Sequence, residues 1–354
     1  MDYKIVDLLK ETVKRKASDL HISVGKPPIF RVDDVLLPIS NEAPALTKEQ
    51  AEKLTLGLLT EQQKEKISQE REIDFAYSLE DKHRFRVNAY FQQDTHAAAL
   101  RLIPGEVKTF AELGLPEILV EFAKSQQGLF LAVGPAGHGK STSIASMIDW
   151  INHSRTDHVI TIEDPIEYVF KQDKCSIDQR EVARDTVSFT KALRSSLRQD
   201  PDVVFVGELR DLETISTALT LSETGHLVIS TLHTNNAAQT IDRLIDVFPA
   251  HQQGQVRSQV ASSLLGIVSQ RLLPKIGGGR IVAAEILKVI PSVRNIIREG
   301  KVYQMENVIQ TNMGEGMIPL DTSLAKLVKE KKVEKNNALA HVIDGKNFEV
   351  AFNQ

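Results

Sequence analysis

Near the start of the chain, Ile5, Leu8, Leu9 and Val13 recur at helical intervals and predict an amphipathic helix. Residues 29–39 read as a hairpin turning at Asp33-Asp34. Thr47/Gln50 and Thr60/Gln63 are T-x-x-Q capping boxes, each of which starts a further helix. Strict alternation then takes over in 73–79 and 84–91. In the second of these strands Phe85, Val87, Ala89 and Phe91 share one face, and Arg84, Arg86, Asn88 and Tyr90 share the other. The pattern breaks at Pro104-Gly105. We therefore expect an α+β domain over 1–103, followed by a linker over 104–112.

Beyond the linker the pattern changes to short apolar runs separated by helical stretches. The runs at 129–133, 158–163, 203–206, 227–232 and 280–287 are apolar nearly throughout. Strands of that kind belong to a parallel sheet covered by helices on both faces, so 113–290 is expected to be an α/β core. Residues 291–354 read as short helices with a charged tail. The basic run from Lys326 to Lys335 is interrupted by Glu330 and Glu334 and reads as a solvated helix face. No long-period repeat and no low-complexity segment interrupts this organisation.

A chain of 354 residues with 42% hydrophobic content fits this multidomain globular reading. Formal net charge is −4, so there is no global attraction toward nucleic acid. No apolar run approaches the ~18 residues of a membrane span, and residues 1–16 are too charged for a secretory signal. The lone cysteine, Cys175, can form neither an internal disulfide nor a cysteine-based zinc site. A cytoplasmic address is expected.

Residues 134–141 read Gly134-Pro135-Ala136-Gly137-His138-Gly139-Lys140-Ser141, the spacing G-x-x-x-x-G-K-S, with Thr142 next. An apolar strand precedes the motif. A helical pattern follows it, with Ile144, Met147, Ile148 and Ile151 on one face. Strand, glycine-rich turn and helix together predict a phosphate-binding loop. Its backbone N–H groups converge on phosphate oxygens and the helix N-terminus adds a positive dipole end. Lys140 can reach the β- and γ-phosphates of ATP, and the Ser141 hydroxyl can ligate Mg²⁺.

Carboxylates end two of the expected strands, Glu163 after 158–162 and Glu208 after 203–206. Ligands in open α/β sheets bind at the strand C-terminal ends, so both acids can converge on one phosphate site. Two roles need filling there, the metal shell (directly or through water) and the orientation of the attacking water. His226 and His233 flank the 227–232 strand. Seven residues apart, they point to opposite faces and are no metal pair. Each reads as a hydrogen-bonded structural histidine, although His233, at a strand C-terminal end, could also sense the γ-phosphate, and His226 could tie the sheet to a neighbour.

Segments 134–141, 160–167, 197–211, 223–235 and 240–249 resemble the Walker A, Asp box, Walker B and His box regions of the secretion ATPase superfamily of hexameric motors. The resemblance runs from Ser18-Asp19-Leu20-His21 to about residue 310. Segment 292–299 resembles the signature helix of the branch that retracts type IV pili, and the four-cysteine zinc insertion of extension and secretion members is missing. The resemblance implies a PAS-like N-terminal domain, a RecA-like core, and a homo-hexamer that binds ATP and Mg²⁺ but no zinc. It implies an ATP-hydrolysing motor that powers pilus retraction and twitching motility, either as the main motor or as its accessory paralogue. Such a motor works at the cytoplasmic face of the inner membrane through a pilus platform protein. The resemblance also places phosphate-facing arginines at Arg84, Arg86 and Arg101, positions that would otherwise read as an exposed polar face.

Two positions depart from the family pattern. Asp94 stands where many retraction members carry an arginine, which shifts that role to Arg86 or Arg101. His138 stands where the family has a small residue, and its imidazole is expected to point outward, toward the adenosine side or a neighbouring subunit. A nucleic-acid translocase shares the RecA-like core but needs a basic stripe or stacking aromatics. With 5% aromatic residues and an acidic balance, no nucleic-acid partner is expected. A small-molecule kinase needs no arginine-bearing N-terminal domain, and a non-catalytic scaffold needs neither Lys140 nor Glu208.

Overall fold

Residues 3–32, 35–80, 83–103 and 105–353 are described by a computed structural model. They fall into two units: 1–106 with the short segment 165–169, and 107–164 with 170–354.

The first unit is built on six strands, β1 (Asp19–Ile22), β2 (Ile29–Val32), β3 (Val35–Pro38), β4 (Glu72–Leu79), β5 (His83–Gln92) and β6 (Thr95–Ile103), in the order β3-β2-β1-β6-β5-β4. Every pairing is antiparallel. The expected turn at Asp33-Asp34 lies outside the described residues. Both T-x-x-Q boxes close: Gln50 N–H donates to Thr47 Oγ1 and Gln63 N–H to Thr60 Oγ1, with each glutamine side chain accepting from the threonine N–H in return. Leu8 and Leu9 of the first helix pack with Leu20, Phe30, Phe85, Val87 and Leu100 of the sheet. The alternation on β5 divides as its pattern predicts: Phe85, Val87 and Ala89 are buried, while Arg86 is exposed.

Two strands of this unit escaped the pattern, β1 and β6. The β5–β6 hairpin turns on Gln93 and Asp94, at φ 46° and 55°. A two-residue turn with both central residues left-handed usually advertises itself with Asn-Gly or Asp-Gly. Here neither position is glycine, so the signal is muted. Asp94 is thus a turn residue with a 92% exposed side chain, 3.9 Å from Arg71.

The second unit carries seven strands, β7 (Gly128–Val133), β8 (His158–Glu163), β9 (Ser176–Glu181), β10 (Val203–Val206), β11 (Leu227–Leu232), β12 (Leu264–Pro274) and β13 (Arg280–Lys288), in the order β13-β12-β7-β11-β10-β8-β9. All adjacent pairs are parallel except β12 and β13. The run at 280–287 is therefore an antiparallel edge strand, which corrects its reading as a parallel one. Its partner β12 was hidden in the sequence because the helix Ala250–Ser263 runs into it without a loop and Gln270-Arg271 interrupts its apolar run. At Gly266 a Cβ would run into the Phe122 ring and lie 2.8 Å from the Leu287 carbonyl, so only glycine lets β12 lie this close.

Buried aliphatic residues of β7, β8, β10 and β11 pack with the helices Leu212–Glu223 and Ala237–Asp246. A separate cluster joins Leu273 and Ala283 to Leu320, Leu324 and Phe348, placing the last helices against β12–β13. Lys326, Lys329, Lys331 and Lys332 are exposed on that layer, the solvated face predicted for them. Among the described residues, no helix is long and apolar enough to cross a membrane.

Candidate functional site

The glycine-rich segment connects β7 to the helix Lys140–Ser154, whose N-cap is Gly139 at φ 83°. The chain leaves the sheet at Gly134, φ 139°, where a Cβ would lie 2.6 Å from the Gln270 carbonyl oxygen. Close passage of β12 therefore excludes a side chain at Gly134. Ala136 and Gly137 are exposed, while Pro135, His138, Gly139, Ser141 and Thr142 are half-buried. Ile144, Met147, Ile148 and Ile151 anchor the helix in the core. Gln270 Nε2 donates to Ser143 Oγ at 2.7 Å and fixes the start of the helix to β12.

Lys140 is only 7% exposed. Its ammonium donates to the carbonyls of Gly134 at 2.7 Å and Pro135 at 2.9 Å, and lies 3.4 Å from His233 Nδ1. On its other side, His233 places Nε2 3.8 Å from Glu208 Oε2, beyond hydrogen-bond reach. Glu208 in turn is ion-paired with Arg210. Burial, then the Lys140 charge, holds the His233 imidazole below its usual pKa against the pull of Glu208. The neutral ring accepts from Lys140 at Nδ1, which leaves the proton on Nε2, facing the carboxylate.

This line of side chains spans the C-terminal ends of β7, β11 and β10. Thr231 Oγ1 donates to the Gly207 carbonyl at 2.6 Å, and Leu209 N–H to the Thr231 carbonyl at 3.1 Å, so the turn bearing Glu208 is laced to the end of β11. Asp211 then N-caps the next helix through a closed capping box with Thr214.

Glu163 ends β8, the strand that pairs with β10. It is buried, and its Oε1 accepts from Thr161 Oγ1 at 2.6 Å and Gln179 Nε2 at 3.3 Å. Ser141, Glu163 and Glu208 are hard oxygen donors, which suits Mg²⁺ held with water and phosphate oxygens rather than in an all-protein cage. Among the described residues no three His, Cys, Asp or Glu side chains cluster as a metal site. His226 has a local role: its Nδ1 lies 3.1 Å from the Leu221 carbonyl and 3.2 Å from Thr224 Oγ1, closing the turn before β11.

The remaining arginines belong to the first unit. Arg86 and Arg101 are direct cross-strand neighbours on β5 and β6, and Arg84 lies two residues from Arg86 on the same face. Asp19 pairs in register with both Arg31 and Arg101. Its carboxylate is 2.9 Å from Arg101 Nε and 3.7 Å from Arg31 Nε. The row Arg31, Asp19, Arg101, Arg86 thus crosses four strands with one acid among three bases.

His138 departs from its expected outward orientation. Its Nδ1 accepts from the Leu272 N–H at 3.0 Å, and its ring packs edge-on to His341 with centroids 6.1 Å apart. The Leu272 N–H projects from the part of β12 that extends beyond its pairing with β7, so the imidazole satisfies an edge donor. Burial and the Arg271 charge lower the His138 pKa, consistent with a neutral acceptor. Sequence reasoning also missed Arg210 and Gln270. Each had a faint signal, a charge two residues after Glu208 and an amide inside an apolar run.

The family model described as Type II/IV secretion system protein matches residues 3–279. The chain is 46% identical to the type IV pilus retraction ATPase PilT of Pseudomonas aeruginosa, over 97% of this chain and 99% of that protein. It is 43% identical to a twitching motility protein of Neisseria gonorrhoeae, over 93% of this chain and 87% of the relative. A crystal structure of the pilus retraction motor PilT with bound ADP superposes with a TM-score of 0.92 at 44% identity, covering 98% of this chain and 99% of that one.

Proposed function

The chain belongs to the Type II/IV secretion system protein family, and on that premise we propose that it is an ATP-hydrolysing motor that powers type IV pilus retraction. The observation that carries its hydrolytic part is the line Lys140, His233, Glu208 beside the phosphate loop, and the likeness to a pilus retraction ATPase over nearly the whole chain supports the motor role. It brings a phosphate-binding cation and a candidate base to the crevice where ligands of parallel sheets bind.

Residues Gly134 to Thr142 hold the nucleotide phosphates through backbone N–H groups. Lys140 exchanges its carbonyl partners for the β- and γ-phosphates. Mg²⁺, when bound, neutralises phosphate charge; the Ser141 hydroxyl, with Glu208 or Glu163 through water, supplies donors that fit it. Glu208 orients the attacking water and accepts its proton as the bond from the γ-phosphorus to the bridging oxygen breaks, giving ADP and phosphate. His233 senses the γ-phosphate between Lys140 and Glu208. Arg84, Arg86 and Arg101 of the N-terminal domain supply positive charge to the transition state. A ring of six copies converts opening and closing of these sites into rotation that acts on an inner-membrane platform protein from the cytoplasmic side. Neither zinc nor nucleic acid enters this scheme, in keeping with one buried cysteine and few aromatics.

The test is ATP turnover by the purified chain and by Lys140→Ala. Turnover by the wild-type chain that falls at least about 10²-fold in the variant, with the fold retained, is expected from loss of a transition-state cation. Turnover near the wild-type rate would overturn the site.

A further inference from the structure

His233 is carried on the segment that joins β11 to the helix Ala237–Asp246, and the β12–β13 ribbon grips that segment. Ser269 Oγ donates to the Asn235 carbonyl at 2.8 Å, and Arg271 donates to the same oxygen at 2.9 Å. Two residues on, Ala237 N–H donates to Glu285 Oε1 at 2.8 Å. Ser269 and Glu285 are paired in register, and Arg271 follows two residues after Ser269, so all three side chains leave the ribbon on one face.

All three are buried, Arg271 at 8% and Glu285 at 7% exposure. Burying an arginine and a glutamate is costly unless each is bound to specific partners. A core position would hold aliphatic residues more cheaply. Here Arg271 donates to the neighbouring Gln270 carbonyl at 2.9 Å, and the other partners of the three groups are one carbonyl and one N–H, both within four residues of His233.

We propose that Ser269, Arg271 and Glu285 are positioning residues that set the place of His233 between Lys140 and Glu208. The inference rests on the hydrolytic reading of that site. The hydrogen bond from Ala237 needs an acceptor at Glu285 rather than a charge, and burial already pushes the Glu285 carboxyl up to about 7. Glutamine at this position therefore does the same work, and alanine does not.

The experiment is a double-mutant cycle on the full chain, read as kcat and KM for ATP, with the His233 imidazole NMR signals recorded in parallel. Glu285→Ala should lower kcat about tenfold with KM changed less than about threefold, and Glu285→Gln should restore most of the loss. In the His233→Ala background, Glu285→Ala should cost nothing further, because residues acting through one another are not additive. The His233 ring signals should move in Glu285→Ala and return in Glu285→Gln. An equal loss with and without His233, or unmoved ring signals, would overturn the proposal. If the wild-type chain hydrolyses no ATP, the hydrolytic reading fails, and the ring signals still decide the placement. Ser269→Ala, which deletes a single donor, runs the same cycle if Glu285→Ala does not fold.

Discussion

Glu208 and Arg210 form an ion pair inside one turn, and Arg210 has its own pKa raised first by that hydrogen bond. The pair keeps the carboxylate at the C-terminal end of β10, facing His233. Glu163, one strand over, is buried and committed to Thr161 and Gln179. The two acids are thus placed differently, one at the open crevice and one inside its wall.

Glu208→Gln should accordingly slow hydrolysis by about 10²–10⁴-fold while leaving ATP binding nearly intact, since it removes a base without changing shape. Glu163→Gln should cost less in turnover. Single-turnover kinetics alongside equilibrium nucleotide binding separates the two effects. A larger loss of turnover in Glu163→Gln would reverse the assignment.

His138→Ala leaves the Leu272 N–H without its acceptor. We expect a loss of about 1–3 kcal/mol in unfolding free energy, together with weaker ADP binding, because the loop loses its tie to β12. Denaturant melts and ADP titration measure the two. Unchanged ADP affinity would mean that the imidazole stabilises β12 without ordering the loop.

The pH dependence of stability follows from Glu285. Its folded pKa of about 7 lies above the reference value of 4.5, so the native state binds more protons than the unfolded state between those values. Stability from this group therefore falls as pH rises from 4.5 to 7, by about 3 kcal/mol in all. Glu285→Gln removes that slope. The variant should gain on the wild-type chain as pH increases through this window, and chemical denaturation at pH 5 and pH 8 reads the difference. A gap that does not change with pH would show that the carboxyl is not protonated in the folded chain.

Asn295 is exposed on the helix Pro291–Glu299, which is anchored by buried Val293 and Ile297. Asn295→Ala should keep ATP turnover within about twofold, as surface substitutions usually leave a fold intact, and should stop retraction in a pilus assay. Collapse of turnover in the purified chain would assign this helix to the hydrolytic machinery instead.

Much of this arrangement could be read from residue pattern. The strands at 158–163, 203–206 and 227–232 coincide with β8, β10 and β11, because buried parallel strands are apolar runs bounded by polar residues. Lys140 could be named from the glycine-rich motif, and Glu208 and His233 from their places at strand ends. β9 escaped notice because its sequence, Ser-Ile-Asp-Gln-Arg-Glu, is that of a half-solvated edge. Gln270 and Glu285 act through contacts between residues far apart in sequence, which no local period records, while Arg210 pairs within its own turn, where a nearby charge is too common a pattern to single out. His138 misled because a loop position says nothing about which strand edge lies beside it.

Along β12 the pleat sends successive residues to opposite sides. The Ser269 and Arg271 side chains reach the segment after β11 and the Gln270 side chain reaches the helix of the phosphate loop, while the Leu272 N–H, at the sheet edge, meets His138 of that loop. One strand thus works like a vernier between the two halves of the crevice. Sliding it by a single residue would exchange both sets of partners at once. A change in the length of this ribbon keeps those contacts only if it falls outside residues 269–272. The exposed turn at Gly277, Gly278 and Gly279, where no neighbouring atom crowds any of the three, is the place where insertions can be absorbed without altering the register.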